Sequence, residues 1–314
     1  MTSRPPPPGI QPRSFDEHWP EDKEAATQRH RQGAFEIFSR KLPISKAGPI
    51  ESMEKVLSIP VPEMIFGDNV VGIHHLPSGW RIEFSAQDAL GRVDKTGENM
   101  LRVSYAGAWS ASREQTSAGI REVVKPFDWS YSTDYKGSVV APWEGSGGGG
   151  GGGGDGGSNE NENPNHQAQT TNKPTFTPTD QPIPIELLKR RDPILFYDDV
   201  MLYESELDDN GISVLSVKVR VHEARMLLLC RLYMRLDDVV CRVRDTRVYV
   251  DFASEVVTRE YTAKEAAFDQ VKQKLLFSGL RPDAITVALR DANQIAEVLP
   301  IVEQTLESIS LRSS

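Results

Sequence analysis

Over residues 215–222, and again over residues 230–236, apolar side chains recur at every second position with polar ones between, and a period of two sustained in this way is met only by extended strands. Leu215, Val217, Val219 and Val221 interleave with Ser216, Lys218, Arg220 and His222. In the next run Met226, Leu228, Cys230, Leu232, Met234 and Leu236 share one face, and Arg231, Tyr233 and Arg235 share the other. Glu223-Ala224-Arg225 is short enough for a hairpin, and Asp237-Asp238 turns the chain into residues 239–245. The stretch therefore reads as an antiparallel meander with one face toward a core and one bearing basic groups.

Two further segments have strand character. Residues 69–74 and 80–85 flank Pro77-Ser78-Gly79, with Trp80, Ile82 and Phe84 pointing one way, which predicts a second hairpin. Residues 194–204 are apolar on both faces and predict a strand covered on both sides, central in its sheet. Helical spacing is confined to short pieces: Ile50, Met53, Val56 and Leu57; residues 86–93 capped by Ser85; residues 263–275 capped by Thr262; and two short C-terminal helices broken at Pro300. Strand runs with peripheral helices predict an α+β protein, antiparallel β-sheets packed as a sandwich-like core with peripheral helices.

Two stretches have no core-forming capacity. Residues 1–32 are rich in proline, charge and glutamine and read as disordered; the tetraproline Pro5–Pro8 serves as a spacer or as a ligand for an aromatic groove. Residues 142–181 hold an unbroken glycine run, Gly147–Gly154, followed by a polar tract, and read as a flexible Gly-rich insertion. A phosphate-binding loop would need a Lys-Ser/Thr ending and a following helix, and neither is present. Loop closure entropy rises only logarithmically with length, so such an insertion within one domain costs little. Residues 33–141 and 182–310 are accordingly expected to form a single interrupted domain.

A net charge of −9 argues against nucleic acid as a partner, since phosphate backbones recruit clustered lysine and arginine. Cys230 and Cys241 fall within apolar alternation and lack the spacing of a zinc or redox pair, so they read as buried, reduced thiols. No apolar run approaches the roughly 20 residues of a membrane span, and the N-terminus lacks the apolar core of a secretory signal. The reading is a cytoplasmic protein, with the nucleus open.

A search for catalytic constellations finds little. His74 and His75 are adjacent on a strand and so face opposite ways, unable to share one metal. The acidic run Glu204, Glu206, Asp208, Asp209 before Asn210-Gly211 lacks the register and terminal glutamate of a calcium loop. No nucleophile elbow occurs. The absence of such motifs lowers the expectation of catalysis, cofactor or metal. A metal-dependent hydrolase built on His74 or His75 and the acidic run stands as one alternative, and a scaffold acting through its low-complexity segments as another. One segment is distinctive: KPFDWSYSTDYKG, residues 125–137, interleaves four aromatics with polar groups. Phe127, Trp129, Tyr131 and Thr133 share a face if the segment is extended, as in a buried strand ending in a turn; direct ligand contact is the competing reading.

That segment resembles the signature of the TIPRL family of TOR signalling pathway regulators. PVPEMIFGDNVV (60–71), IEFSAQDAL (82–90), ILFYDDVMLYESELDDNGISVLSVKVRV (194–221), RVRDTRVY (242–249) and TREYTAKE (258–265) follow in the family's order. The resemblance runs from about residue 33 to residue 306, interrupted by the insertion. It implies a non-enzymatic regulator that binds type-2A family phosphatase catalytic subunits, of the 2A, 4 and 6 types, inhibits them, and receives their C-terminal tail in a cleft. In fungi the family is also associated with an alpha-four-type phosphatase adaptor. Carried over by position, the phosphatase-binding residues are Asp88, Ile183, Val243 and Asp245. Val243 stands where some relatives have methionine, and Phe35 where a tryptophan is usual. Structural readings exist beside these: Asp88 as part of a helix cap after Ser85, and Asp245 as the orderer of a turn before Thr246. Ile183, beside the insertion, is expected to be exposed.

Arg242 and Arg244 alternate with apolar residues on one strand, Lys218 and Arg220 on another, and Arg231 and Arg235 on a third. They are expected to form one basic sheet face that holds an acidic, carboxylate-ending tail; a solvated face paired with Asp and Glu is the alternative.

Overall fold

The computed structural model describes residues 23–96, 103–104, 122–123, 127–140, 174–208 and 210–312. The tetraproline, Asp209 and the glycine run lie outside the described residues. The described residues begin with a hairpin, β1 (Thr27–Gln32) and β2 (Phe35–Arg40), and continue through α1 (Ala47–Leu57) and β3 (Met64–Ile65) to a second hairpin, β4 (Val70–His75) and β5 (Trp80–Ser85). Helix α2 (Ala86–Leu90), the short pair β6 (Val103–Ser104) and β7 (Glu122–Val123), β8 (Ser138–Val140), β9 (Thr177–Pro178) and α3 (Ile185–Leu188) follow. Five long strands come next: β10 (Phe196–Ser205), β11 (Gly211–Val221), β12 (Arg225–Leu236), β13 (Val240–Asp251) and β14 (Val256–Ala267). Helices α4 (Phe268–Phe277), α5 (Pro282–Ala288) and α6 (Ala292–Val298) lead to the last strand, β15 (Ile301–Ser310).

Apart from the β6-β7 pair, the described strands make two antiparallel layers. One is five-stranded, β1-β2-β4-β5-β8, and the other eight-stranded, β3-β10-β11-β12-β13-β14-β15-β9. The period-two runs became β11 and β12, joined at Glu223-Ala224 and continued through Asp237-Asp238 into β13. Their apolar face, Leu215, Val217, Val219, Leu228, Leu232 and Val248, packs on Phe35, Ile37, Val71, Ile73, Ile82 and Phe84 of the smaller sheet. Residues before and after the glycine run thus share one core. Phe35 is fully buried against His75 and Phe252.

The segment 127–135 lies between the layers. Phe127, Trp129, Tyr131 and Tyr135 are buried in the shared core, so the rings are core rings, but their backbone forms no ladder. Side chains from the flanking elements satisfy it instead: Tyr203 Oη donates to the Tyr131 carbonyl at 2.8 Å and Thr246 Oγ1 to the Tyr135 carbonyl at 2.9 Å. Gly137 ends the segment at φ +86°, and a Cβ there would sit 2.7 Å from the Phe84 ring and 2.9 Å from Ile82. Gly137→Ala combines left-handed strain with overpacking, and is expected to cost about 2–4 kcal/mol in urea denaturation. A change under about 0.5 kcal/mol would show that the neighbours repack freely.

Several expectations are corrected. β10 is not central, because only the two-residue β3 lies beyond it, and Tyr197 is exposed. Thr262 caps no helix. Residues 263–267 pair with β13 as far as Val240↔Ala267, and the ladder overrides the local helix preference of Ala-Lys-Glu-Ala-Ala. Beyond Pro300 the chain is a strand, β15, held by β14. Helix α2 ends at Leu90, short of 93. Two stretches read as unstructured contain paired residues: Thr27–Gln32 joins β2, and Thr177–Pro178 joins β15. The second is fastened beside the insertion by Phe176, whose ring lies 4.0 Å from the Arg259 guanidinium and 6.0 Å from the Trp80 ring.

Candidate functional site

Strand parity decides where the charged residues point. Across β12 and β13 the pairs are Arg231↔Asp245, Tyr233↔Val243 and Arg235↔Cys241, and these face away from the sandwich core. The alternate pairs, Leu232↔Arg244 and Met234↔Arg242, face inward. The single basic face is therefore not formed: Arg242 and Arg244 lie on the inner side, whereas Lys218, Arg220, Arg231 and Arg235 lie on the outer side. The inward arginines are neutralised at close range. Arg242 Nε bonds Glu265 Oε2 at 2.6 Å, Arg244 Nη2 bonds the same oxygen at 2.8 Å, and Arg242 also reaches Ser132 of the buried segment at 3.3 Å. Burial works against the Glu265 charge, but the two guanidinia overcome it and hold this carboxyl below its usual range.

The outer face is covered at both ends. At one end α4, α5 and α6 bury Tyr233, Cys241, Val243 and Ala266 under Phe268, Val271, Ile295 and Leu299. At the other end the chain crosses from β9, beside β15, to β10, and Arg225 of β12 holds this crossing strap through the Leu187 carbonyl at 2.6 Å and through Asp192. Beside the helical cap an open groove of about 570 Å³ runs over β10–β12. Ile212, Val214 and Tyr233 line it apolarly, Glu204, Glu206 and Asp237 supply acid, and Arg231, Arg235 and Arg290 supply base. Arg231 is fixed by a bidentate pair with buried Asp245, at 2.7 Å to each oxygen, and donates to Asn293 Oδ1 on α6 at 2.8 Å. Arg235 donates to the Leu289 carbonyl at 2.9 Å. Arg290 is exposed, and among the described residues no ion pair engages it.

The residues carried over by resemblance fall in different settings. Asp245 shapes the groove wall through Arg231; it lies inside β13 and orders no turn. Val243, next along that face, is fully buried beneath the helical cap and supports the groove without lining it. Ile183 is buried, not exposed, because the strap carries it onto the body of the protein. Asp88 is exposed on α2 in the other layer: its N–H donates to Ser85 Oγ at 3.2 Å, and its carboxylate accepts from Ser138 Oγ at 2.7 Å. The structure therefore joins Asp245 and Val243, places Ile183 on the strap, and leaves Asp88 apart from them. Lys218 pairs with Asp199 at 3.0 Å, and Arg220 lines a shallower cavity of about 260 Å³ with Tyr197, Leu227 and Leu229. Sequence reasoning missed Arg290, Asn293 and Glu265; reading 263–275 as a helix hid the parity that puts Glu265 opposite Arg242.

His74 and His75 do face opposite ways, His75 inward with Nδ1 2.7 Å from Ser78 Oγ and Nε2 3.4 Å from Glu255. Among the described residues no three His, Cys, Asp or Glu side chains converge as a metal site. Burial lowers the His75 pKa, against the pull of Glu255. The unfolded chain then takes up the proton first, so this contribution to stability is complete above the ordinary histidine value and is lost as pH falls through the depressed one. Urea midpoints are expected to fall between about pH 7 and pH 5, and His75→Gln to flatten that fall. An identical slope in the variant would remove His75 from the account.

The class defined by this fold is a two-layer antiparallel α+β protein with a helix-capped sheet face and an open groove of mixed charge. The chain belongs to the TIP41-like family, whose model matches residues 64–272. It is similar to the TIP41-like protein of Dictyostelium discoideum, 36% identical over 283 residues, covering 89% of this chain and 91% of the relative. The human TIP41-like protein is 34% identical over 278 residues, 88% and 87% of the two chains. The Saccharomyces cerevisiae protein named type 2A phosphatase activator TIP41 is 35% identical over 289 residues, 87% of this chain and 72% of the relative.

Proposed function

We propose that this protein is a regulator in TOR signalling that binds type-2A family phosphatase catalytic subunits, of the 2A, 4 and 6 types, and takes their C-terminal tail in the groove beside the helical cap. The observation that carries the reading is the groove itself: an apolar floor of Ile212 and Val214 beside fixed Arg231 and unengaged Arg290 suits an extended peptide ending in a carboxylate. Family membership supports the partner class, since the yeast relative's name describes action on a type 2A phosphatase. The chain acts by binding and has no catalysis of its own. Its sign is inhibitory, because a bound regulator that occupies the tail withholds it from other subunits; the relative's name, an activator, is the contrary reading.

Calorimetry of the full chain with each catalytic subunit is expected to give submicromolar binding, lost in folded Asp245→Asn; Asp88→Leu, in the other layer, tests whether the partner also reaches that side. Arg290→Glu should weaken it about tenfold and flatten its salt dependence. Binding that survives all three substitutions would place the partner elsewhere. Phosphatase turnover in the same complex fixes the sign: a rise in activity rejects inhibition.

A further inference from the structure

The crossing strap is held more firmly than a simple connection needs. Arg225, whose side chain is only 7% exposed, reaches the Leu187 carbonyl and Asp192, and the His222 ring meets the Pro193 carbonyl at 2.9 Å. Taking a guanidinium out of water carries a desolvation cost that only well-placed partners offset. What this anchorage holds in place is a surface that leaves about half of its large apolar side chains' area in water. Ile185, Ile194, Leu195 and Tyr197 are 44%, 51%, 46% and 55% exposed, although Ile183 in the same strap is buried. Beside them Arg190 and Arg191 are exposed, and among the described residues neither is engaged in an ion pair. Scattered exposed apolar groups are ordinary, but these fall within one short segment, interrupted by the two arginines.

We infer that the outward side of the strap is a preorganised docking surface for an acidic protein surface that carries apolar groups, and that Arg225 is its positioning residue. The inference rests on the phosphatase reading, and makes the rim of the catalytic subunit, apart from its tail, the occupant. Charge argues for an acidic partner: the whole chain carries −9, so two arginines without an ion pair among the described residues form a local exception that long-range attraction will orient. The apolar residues supply the short-range part, and the rigid anchor removes the ordering cost that a loose strap would meet on binding. The surface also runs into the groove side of the sheet through Tyr197, which lines the shallow cavity with Lys218 and Arg220, so a single partner can engage both.

The test uses the full chain and purified type-2A catalytic subunit, with association and dissociation followed by interferometry. Ile194→Ser with Leu195→Ser is expected to weaken binding about tenfold, mainly through faster dissociation. Arg190→Glu with Arg191→Glu should slow association about tenfold at low salt, an effect that shrinks at high salt. Arg225→Met should reproduce the first loss and add little to it in the combined variant, whereas two independent effects would multiply. Phe277→Ser, at an 89% exposed residue on α4, serves as a control and should leave affinity unchanged. Wild-type affinity in both strap doubles, with the wild-type chain binding normally, overturns the docking surface while leaving the phosphatase reading intact. No binding by the wild-type chain overturns both. A chain that sediments as a dimer, and as a monomer after Leu195→Ser with phosphatase affinity unchanged, assigns the surface to a second copy and also overturns the inference.

Discussion

Asp245→Leu is expected to lower folding stability by about 3–5 kcal/mol and to abolish the proposed phosphatase binding, one of the two strongest effects foreseen for single substitutions. Asp245 is buried, and both its oxygens are engaged by Arg231, with Arg247 a further 3.7 Å away. Leucine removes the countercharge but leaves the Arg231 guanidinium, 13% exposed, beside Tyr233 and the helical cap. The loss is then chiefly that of a buried cation without a partner, and it reaches α6 because the same guanidinium holds Asn293. Asp245→Asn keeps the shape and one acceptor and should cost less, so it separates folding from binding. Urea denaturation of both variants checks the order. A loss under about 1 kcal/mol for leucine would mean that Arg231 escapes to solvent and that the clamp contributes little.

Trp129→Ala is expected to cost about 3–5 kcal/mol through the cavity it leaves. Trp129 sits in the shared core among Phe127, Tyr131 and Tyr135, where no regular strand surrounds it to close the gap. Its removal should also raise hydrogen exchange in β11–β14, since the segment reaches those strands through Tyr203 and Thr246. A denaturation midpoint equal to that of the native chain would make the segment a surface feature rather than the filling between two layers.

The meander was legible because the alternation over 215–222 and 230–236 agreed with the short connections beside them. The strand at 263–267 was not, since its residues favour helix locally and are claimed by the ladder to β13, with Ala263 and Lys264 also paired to β15, which follows only after the helices. The site divides in the same way. Asp245 and Val243 were reachable from motif positions, and parity alone places them on one face. That Arg242 and Arg244 turn inward depends on the register across Asp237-Asp238, which pairs Leu236 with Val240 and is invisible to composition. The burial of Ile183 needs knowledge of where the strap lands, and Arg290 needs two helices to be folded before it overlooks anything.

The two sides of the glycine run enter different layers, β8 in the smaller sheet and β9 in the larger, yet contribute to a single core. A cut placed between residues 141 and 173 would therefore not divide the protein into two independent bodies. Each piece would keep an apolar sheet face that only the other can cover, so the pieces are expected to remain together as a native-like heterodimer after nicking and to reassemble when expressed separately. In that sense the molecule is already a split reporter: two complementary halves whose covalent connection matters for their concentration near each other and hardly at all for their fit.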